Sequence, residues 1–258
     1  MKLHNAVLCY SDSQDCIDMY FSLWERYNHP LYFYSSEDSF PPNTYGNPIF
    51  KAGQSGHSGA HTIERHLIFF KKMLSYDAQW FVVNDYDSFI LCDPLDLIEG
   101  RDPCIFGNFI TTTGVNKHTI EKYQGQWPKF FIHPPYIIHR DVLINICDAT
   151  VPYNVQGGYF DRWLGLVCEY MRPPLVSFRG SRSSIKGWPD SPHSLEYSNE
   201  IGIEVMDIGC TYHWILKQHV IKLQASELEK FRRYKVFHGI RDAKVFNLLI
   251  NKNDIYEK

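Results

Sequence analysis

Between Trp80 and Leu91 the chain reads Trp-Phe-Val-Val-Asn-Asp-Tyr-Asp-Ser-Phe-Ile-Leu, and no other stretch limits its possible folds as much. Trp80 to Val83 run without a polar break, which predicts a strand buried on both faces, as in a parallel sheet. The run meets Asn84-Asp85-Tyr86-Asp87 and then turns apolar again. In extended chain, residues two apart share a face, so Asp85 and Asp87 are expected to aim two carboxylates at one point. Open α/β sheets bind ligands beyond the carboxyl ends of their strands, where these two residues would lie. Two convergent carboxylates suit a hard divalent cation with oxygen ligands, Mg²⁺ or Mn²⁺, itself carrying a diphosphate. Taken alone, Asp-x-Asp is a common triplet, and the same carboxylates would be solvated turn residues.

The rest of the chain has the material for such a sheet. With 258 residues, 44% hydrophobic and 16% aromatic, it can bury a large core as one sizeable α/β domain. The formal charge is −3 with no long run of either sign, which argues against a general nucleic-acid binder. Seven cysteines are scattered without a Cys-x-x-Cys, several inside apolar runs such as Leu91-Cys92 and Val167-Cys168. That pattern favours a reducing compartment and no structural zinc. No signal-peptide core opens the chain and no window approaches the length of a membrane span, so the expectation is a cytoplasmic protein or a catalytic domain without its anchor.

In order, Ala6 to Cys9 predicts a strand, ending at Tyr10-Ser11-Asp12-Ser13. Cys16, Tyr20, Leu23 and Tyr27 follow at helical spacing, and Leu31 to Tyr34 predict a second strand ending in Ser35-Ser36-Glu37-Asp38. A glycine-rich loop containing His57 lacks the Lys-Ser/Thr of a P-loop. A helix is expected over 61–76, with Ile63, Leu67, Phe70 and Leu74 inward and Glu64, Arg65, Lys71 and Lys72 outward. Strands are expected from Ile105 to Thr112 and in the segment from Pro134 to His139, the second running into a helix. Asp161 is expected at a helix start, followed by the buried stripe Leu164, Val167 and Cys168. Residues 171–200 read as one long irregular segment. The end of the chain predicts a helix around 226–234, a strand Lys235-Val236-Phe237 and a last helix with Val245, Leu248 and Leu249.

At this point the chain resembles glycosyltransferases of the GT-A fold. The opening strand–helix–strand is similar to their nucleotide-binding half, and Asp85-Tyr86-Asp87 to their metal-binding Asp-x-Asp. Tyr136-Ile137-Ile138-His139-Arg140-Asp141-Val142-Leu143 is similar to the Gly-Tyr-apolar-apolar-Ser-Arg segment before the acceptor loop, with Pro134-Pro135 in place of the usual glycines. Asp161-Arg162-Trp163-Leu164-Gly165 matches Asp-x-x-Leu-Gly, whose acidic residue is the usual base of inverting members, and Phe160 replaces a second acid found in many. His238-Gly239 resembles the late histidine that completes the metal site.

The resemblance implies a single mixed, mainly parallel α/β domain over 1–258, divided into a nucleotide-sugar half (1–112), an acceptor half (113–240) and a C-terminal helix and tail (241–258). It implies a Mn²⁺ or Mg²⁺ ion on Asp85, Asp87 and His238, and Asp161 as general base. Donor contacts are expected from Tyr10, Ser11, Glu37, Asp38, Arg65, Asp85 and Tyr86. The expected partners are a nucleotide-diphosphate sugar, UDP-linked ahead of GDP-linked, and a glycan or glycoconjugate acceptor, with transfer by inversion. Trp163 and Trp188 could platform a sugar ring, or belong to the core. Competing readings are a haloacid-dehalogenase-type phosphatase, which also carries Asp-x-Asp after an apolar strand, a sugar nucleotidyltransferase, and an inactive carbohydrate-binding domain of the same fold. Phe89 stands where the phosphatases carry Thr or Val, and the nucleotidyltransferases' glycine-rich, Arg-containing opening loop is missing.

Overall fold

The computed structural model describes residues 2–9, 14–29, 31–35, 59–111, 128–150, 160–181, 202–211, 234–238, 240 and 243–254. Its helices are α1 (Gln14–Tyr27), α2 (Gly59–Met73), α3 (Pro94–Ile98), α4 (Arg140–Asp148), α5 (Phe160–Met171) and α6 (Ala243–Asp254). Its strands are β1 (Leu3–Cys9), β2 (Leu31–Ser35), β3 (Trp80–Asp85), β4 (Ser88–Ile90), β5 (Ile105–Thr111), β6 (Phe130–His139), β7 (Leu175–Ser181), β8 (Ile203–Thr211) and β9 (Tyr234–His238).

These strands join in one sheet of order β2-β1-β3-β6-β5-β7-β8-β9-β4. The pairs β1–β2, β1–β3, β5–β7, β7–β8 and β8–β9 are parallel. Those of β6 with β3 and β5, and of β4 with β9, are antiparallel. The sheet is therefore mixed and mainly parallel, with helices on both faces, as expected. Among the described residues no helix is long and apolar enough to cross a membrane.

Alternation along each strand sorts the core. Ala6, Phe81, Val83, Tyr136 and Ile138 face α2, α4 and α5, sharing a cluster with Phe70, Leu143 and Trp163. Leu3, Trp80, Val82 and Ile137 belong to a second cluster with Ile90 and Val236, so β4 and β9 fold back over the other face of β3. The outward neighbours of that ladder, Phe89 and Phe237, are fully buried against residues of α1 and α6, Tyr20 and Phe246 among them. Burial of each such ring contributes about 1.5–3 kcal/mol, enough to hold a three-residue strand that has no length of its own to rely on.

Several expectations change. The extended chain expected through Asp85 and Asp87 is broken: β3 ends at Asp85, a turn takes Tyr86 and Asp87, and β4 starts at Ser88 with β9 as its partner. The segment 171–200 is not wholly irregular, because Leu175–Ser181 form β7 inside the sheet; the rest of it, from 182 on, lies outside the described residues. Helix α2 ends at Met73 rather than at 76. The helix expected over 226–234 falls outside the described residues except for Tyr234, which opens β9. Strand β8 and the short α3 were not expected. Helix α3 follows from Asp93, whose carboxylate accepts from Leu95 N at 2.8 Å, with Pro94 in the first turn.

Candidate functional site

Asp85 ends β3 and Asp87 lies in the turn that follows, so the two do not sit on one extended strand as the period-two spacing led us to expect. The turn is closed by Ser88, whose Oγ accepts from Asp85 N at 2.8 Å and lies 3.1 Å from Asp85 O. Helix α1 adds a clamp: Tyr20 Oη donates to Asp85 O at 2.9 Å and also to Ser88 O. From the other side Ile240 N donates to Asp87 O at 2.9 Å. Asp87 is buried, Asp85 and Tyr86 partly so. The β4–β9 ladder sets His238 directly opposite Ser88, so the backbone brings the late histidine beside the residue that follows Asp87. Among the described residues no three His, Cys, Asp or Glu side chains enclose a cation, and the side chain of His238 is not among them.

The second half of the site is built on β6 and α5. Asp161 lies in the first turn of α5, as expected, 3.2 Å through Oδ2 from His133 Nε2 on β6. Its other oxygen accepts from Arg162 N at 2.9 Å, so both carboxylate oxygens are oriented while a fifth of the side chain remains exposed. The Arg162 guanidinium rests over the Phe131 ring at 5.4 Å, and Phe160 stacks on His66 of α2 with ring centroids 4.0 Å apart.

What lets α5 approach β6 so closely is Gly165, one turn beyond Asp161. A Cβ there would meet the Phe130 carbonyl oxygen at 2.2 Å and Pro128 at 3.2 Å. The glycine of the Asp-x-x-Leu-Gly segment thus seats the helix directly on strand backbone, three residues from His133.

The two halves share one end of the β3–β6 ladder. Val83 pairs with Tyr136 in the antiparallel β3–β6 ladder, so continuing to Asp85 on β3 means going back toward His133 on β6. Tyr136 stands between them. Its ring is fully buried, edge-on to Phe70, which in turn meets Phe160 beside Asp161. Burial, then the charges of Asp85, Cys168 and Asp161, push the phenol well above its usual range, which keeps the hydroxyl protonated.

The remaining candidates divide. Tyr10 and Ser11 follow β1 in the chain, and Glu37 and Asp38 follow β2; these four lie outside the described residues, as do His57, Trp188 and Gly239. Arg65 is on α2, and its side chain is not described. Trp163 is fully buried in the core beneath α5, which removes it as a sugar platform. Arg140, part of the segment likened to an acceptor motif, is bound to backbone: its guanidinium donates to Leu74 O, Tyr76 O and Ala78 O at 2.7, 2.8 and 3.1 Å. It fastens the link from α2 into β3.

His133, Ser88 and the clamping role of Tyr20 were missed from sequence. The one available signal was Tyr20 itself, a phenol on the buried stripe of α1, which needs a polar partner.

No family model matches the chain, and no curated protein matches it. Among solved structures, a glycosyltransferase involved in the glycosylation of the major capsid of PBCV-1 is similar over 96% of this chain and 98% of its own, with 12% identity and a TM-score of 0.47. The galactosyltransferase LgtC in complex with donor and acceptor sugar analogs is similar over 97% and 95%, with 10% identity and a TM-score of 0.39. An active-site mutant of LgtC gives the same coverage and identity at a TM-score of 0.40. With TM-scores below 0.5, these likenesses carry no inference about chemistry.

Proposed function

We propose that the chain is a glycosyltransferase that moves a sugar from a nucleotide-diphosphate donor, UDP-linked ahead of GDP-linked, to an acceptor hydroxyl with inversion. The observation that carries the reading is that the Asp85–Asp87 turn and the His133–Asp161 pair lie at the same end of the β3–β6 ladder. One group faces what departs and the other what attacks.

On the donor side, Asp85 and Asp87 with His238 make a donor set rich in hard oxygen, which fits Mn²⁺ or Mg²⁺. Such an ion, when bound, neutralises charge on the departing diphosphate. Ser88, Tyr20 and Ile240 fix the backbone of the turn at Asp85 and Asp87, so these ligands need little reorganisation.

On the acceptor side, Asp161 takes the proton of the attacking hydroxyl as that oxygen bonds to the anomeric carbon and the bond to the diphosphate breaks. His133 Nε2 and Arg162 N hold the carboxylate in place for this. The residue before Asp161 in the chain is Phe160, which packs on His66.

Turnover of a panel of UDP- and GDP-sugars tests the reading. Asp161→Asn is expected to lower turnover by roughly a hundredfold or more, the usual contribution of a general base, with nucleotide binding retained. His133→Ala should lower it less, and His133→Gln should recover part of that loss. Full turnover in Asp161→Asn would remove Asp161 from the chemistry.

A further inference from the structure

Tyr136 carries the one buried side-chain polar atom among the described residues that has no hydrogen-bond partner. Its place is specific. On β6 it pairs with Val83 of β3, and Asp85 is the next residue on the same face, a diagonal neighbour within reach of a side chain as long as tyrosine's. Its aromatic neighbours lead to the start of α5, where Asp161 lies, and the charges of Asp85 and Asp161 both act on the hydroxyl. An unpaired buried hydroxyl is destabilising, and a phenylalanine would fill the same space without that cost. Retaining the oxygen there makes sense when the hydroxyl gains its partner as the site fills.

We propose that the Tyr136 hydroxyl is the hydrogen-bond donor that holds the Asp85 carboxylate in the orientation used for the donor diphosphate and its cation. Tyr136 is then a positioning residue that acts through Asp85. The inference rests on the donor-site reading above and extends it to a residue that never touches the substrate. Placed diagonally across the β3–β6 ladder from Asp85, the phenol offers that carboxylate a hydrogen-bond donor. Because it is walled in by Phe70 and its neighbours, it has few other directions in which to donate.

The test is Tyr136→Phe, alone and combined with Asp85→Asn, measured by melting temperature and by calorimetric titration of UDP with Mn²⁺. The expected result is a melting point equal to or above that of the unaltered protein, with nucleotide affinity weakened roughly tenfold to a hundredfold, the usual worth of a hydrogen bond to a charged group. In the Asp85→Asn background, Tyr136→Phe should make no further difference, because its effect passes through that carboxylate. Unchanged affinity in the single variant, or an equal loss that persists without Asp85, overturns the proposal while leaving the donor site standing. A clear fall in melting temperature also overturns it, since the hydroxyl would then be a structural bond. If the unaltered protein binds neither UDP nor GDP with Mn²⁺, the donor-site reading fails and this inference fails with it.

Discussion

Gly165→Ala is the substitution in which packing and chemistry are most tightly joined. Alanine is normally the better helix residue by about 0.8–1.0 kcal/mol, so an unconstrained site would gain stability. Here the new methyl group would meet the Phe130 carbonyl oxygen at 2.2 Å. Ordinary carbon–oxygen contact lies near 3.3 Å, so helix and strand must separate by roughly 1 Å. The obstacle is backbone inside a sheet, which cannot rotate aside. Overpacking of this kind costs about 1–3 kcal/mol, and after the helix gain a net loss of up to about 2 kcal/mol is left. For a domain of this size that lowers the melting temperature by roughly 4–8 °C. The same displacement reaches Asp161, one turn away, and opens its 3.2 Å contact with His133. A misplacement of about 1 Å at a catalytic group costs on the order of a hundredfold in rate. Calorimetric melting and steady-state turnover on the same preparations read both effects. If Gly165→Ala melts higher than the unaltered protein and keeps its turnover, the close approach of α5 to β6 and its part in placing Asp161 are both refuted.

Two further predictions concern stability. His4 is buried, stacked on Tyr32 and bonded through Nε2 to Tyr34 Oη at 2.9 Å, and burial holds its pKa down to about 3 from 6.5. The unfolded chain takes a proton near pH 6.5 and the folded chain does not, so stability is full above that pH and falls through the window from 6.5 to about 3. At about 1.4 kcal/mol per pH unit, about 2.7 kcal/mol is lost by about pH 4.5; urea unfolding at both pH values should show a smaller acid loss in His4→Phe, and an equal loss would count against the assignment. Arg140→Ala removes three bonds to backbone carbonyls and should cost about 2–3 kcal/mol, read as a fall in melting temperature, with nucleotide affinity unchanged. Weaker nucleotide binding at equal stability would return Arg140 to the functional site.

What the sequence made legible was what local pattern encodes. The apolar runs Trp80–Val83 and Ala6–Cys9 and the stripe on α5 each follow from burial along one element, and the last places Asp161 in the first turn of a helix. The turn at Tyr86-Asp87 entered the sequence reading only as the alternative to a continuous strand, because it has no glycine or proline and because Phe89 and Ile90 continue the apolar pattern. It is imposed from outside, by Tyr20 of α1 and by β9, far away along the chain on either side. Strand β7 was hidden by the Pro, Ser and Arg that surround Leu175–Phe178. His133 could not be singled out among twelve histidines, since its partner Asp161 meets it only through the close seat at Gly165. Arg140 shows the opposite case, a residue of the motif-like segment whose guanidinium binds backbone carbonyls.

If the Asp85–Asp87 turn binds the donor, calorimetric titration of UDP and of GDP, each with and without Mn²⁺, will detect it. Micromolar, metal-dependent binding of one nucleotide is expected, lost in Asp87→Asn while the fold and melting temperature hold. Binding of neither nucleotide under any metal condition, or binding unaffected by Asp87→Asn, would contradict a donor site at that turn.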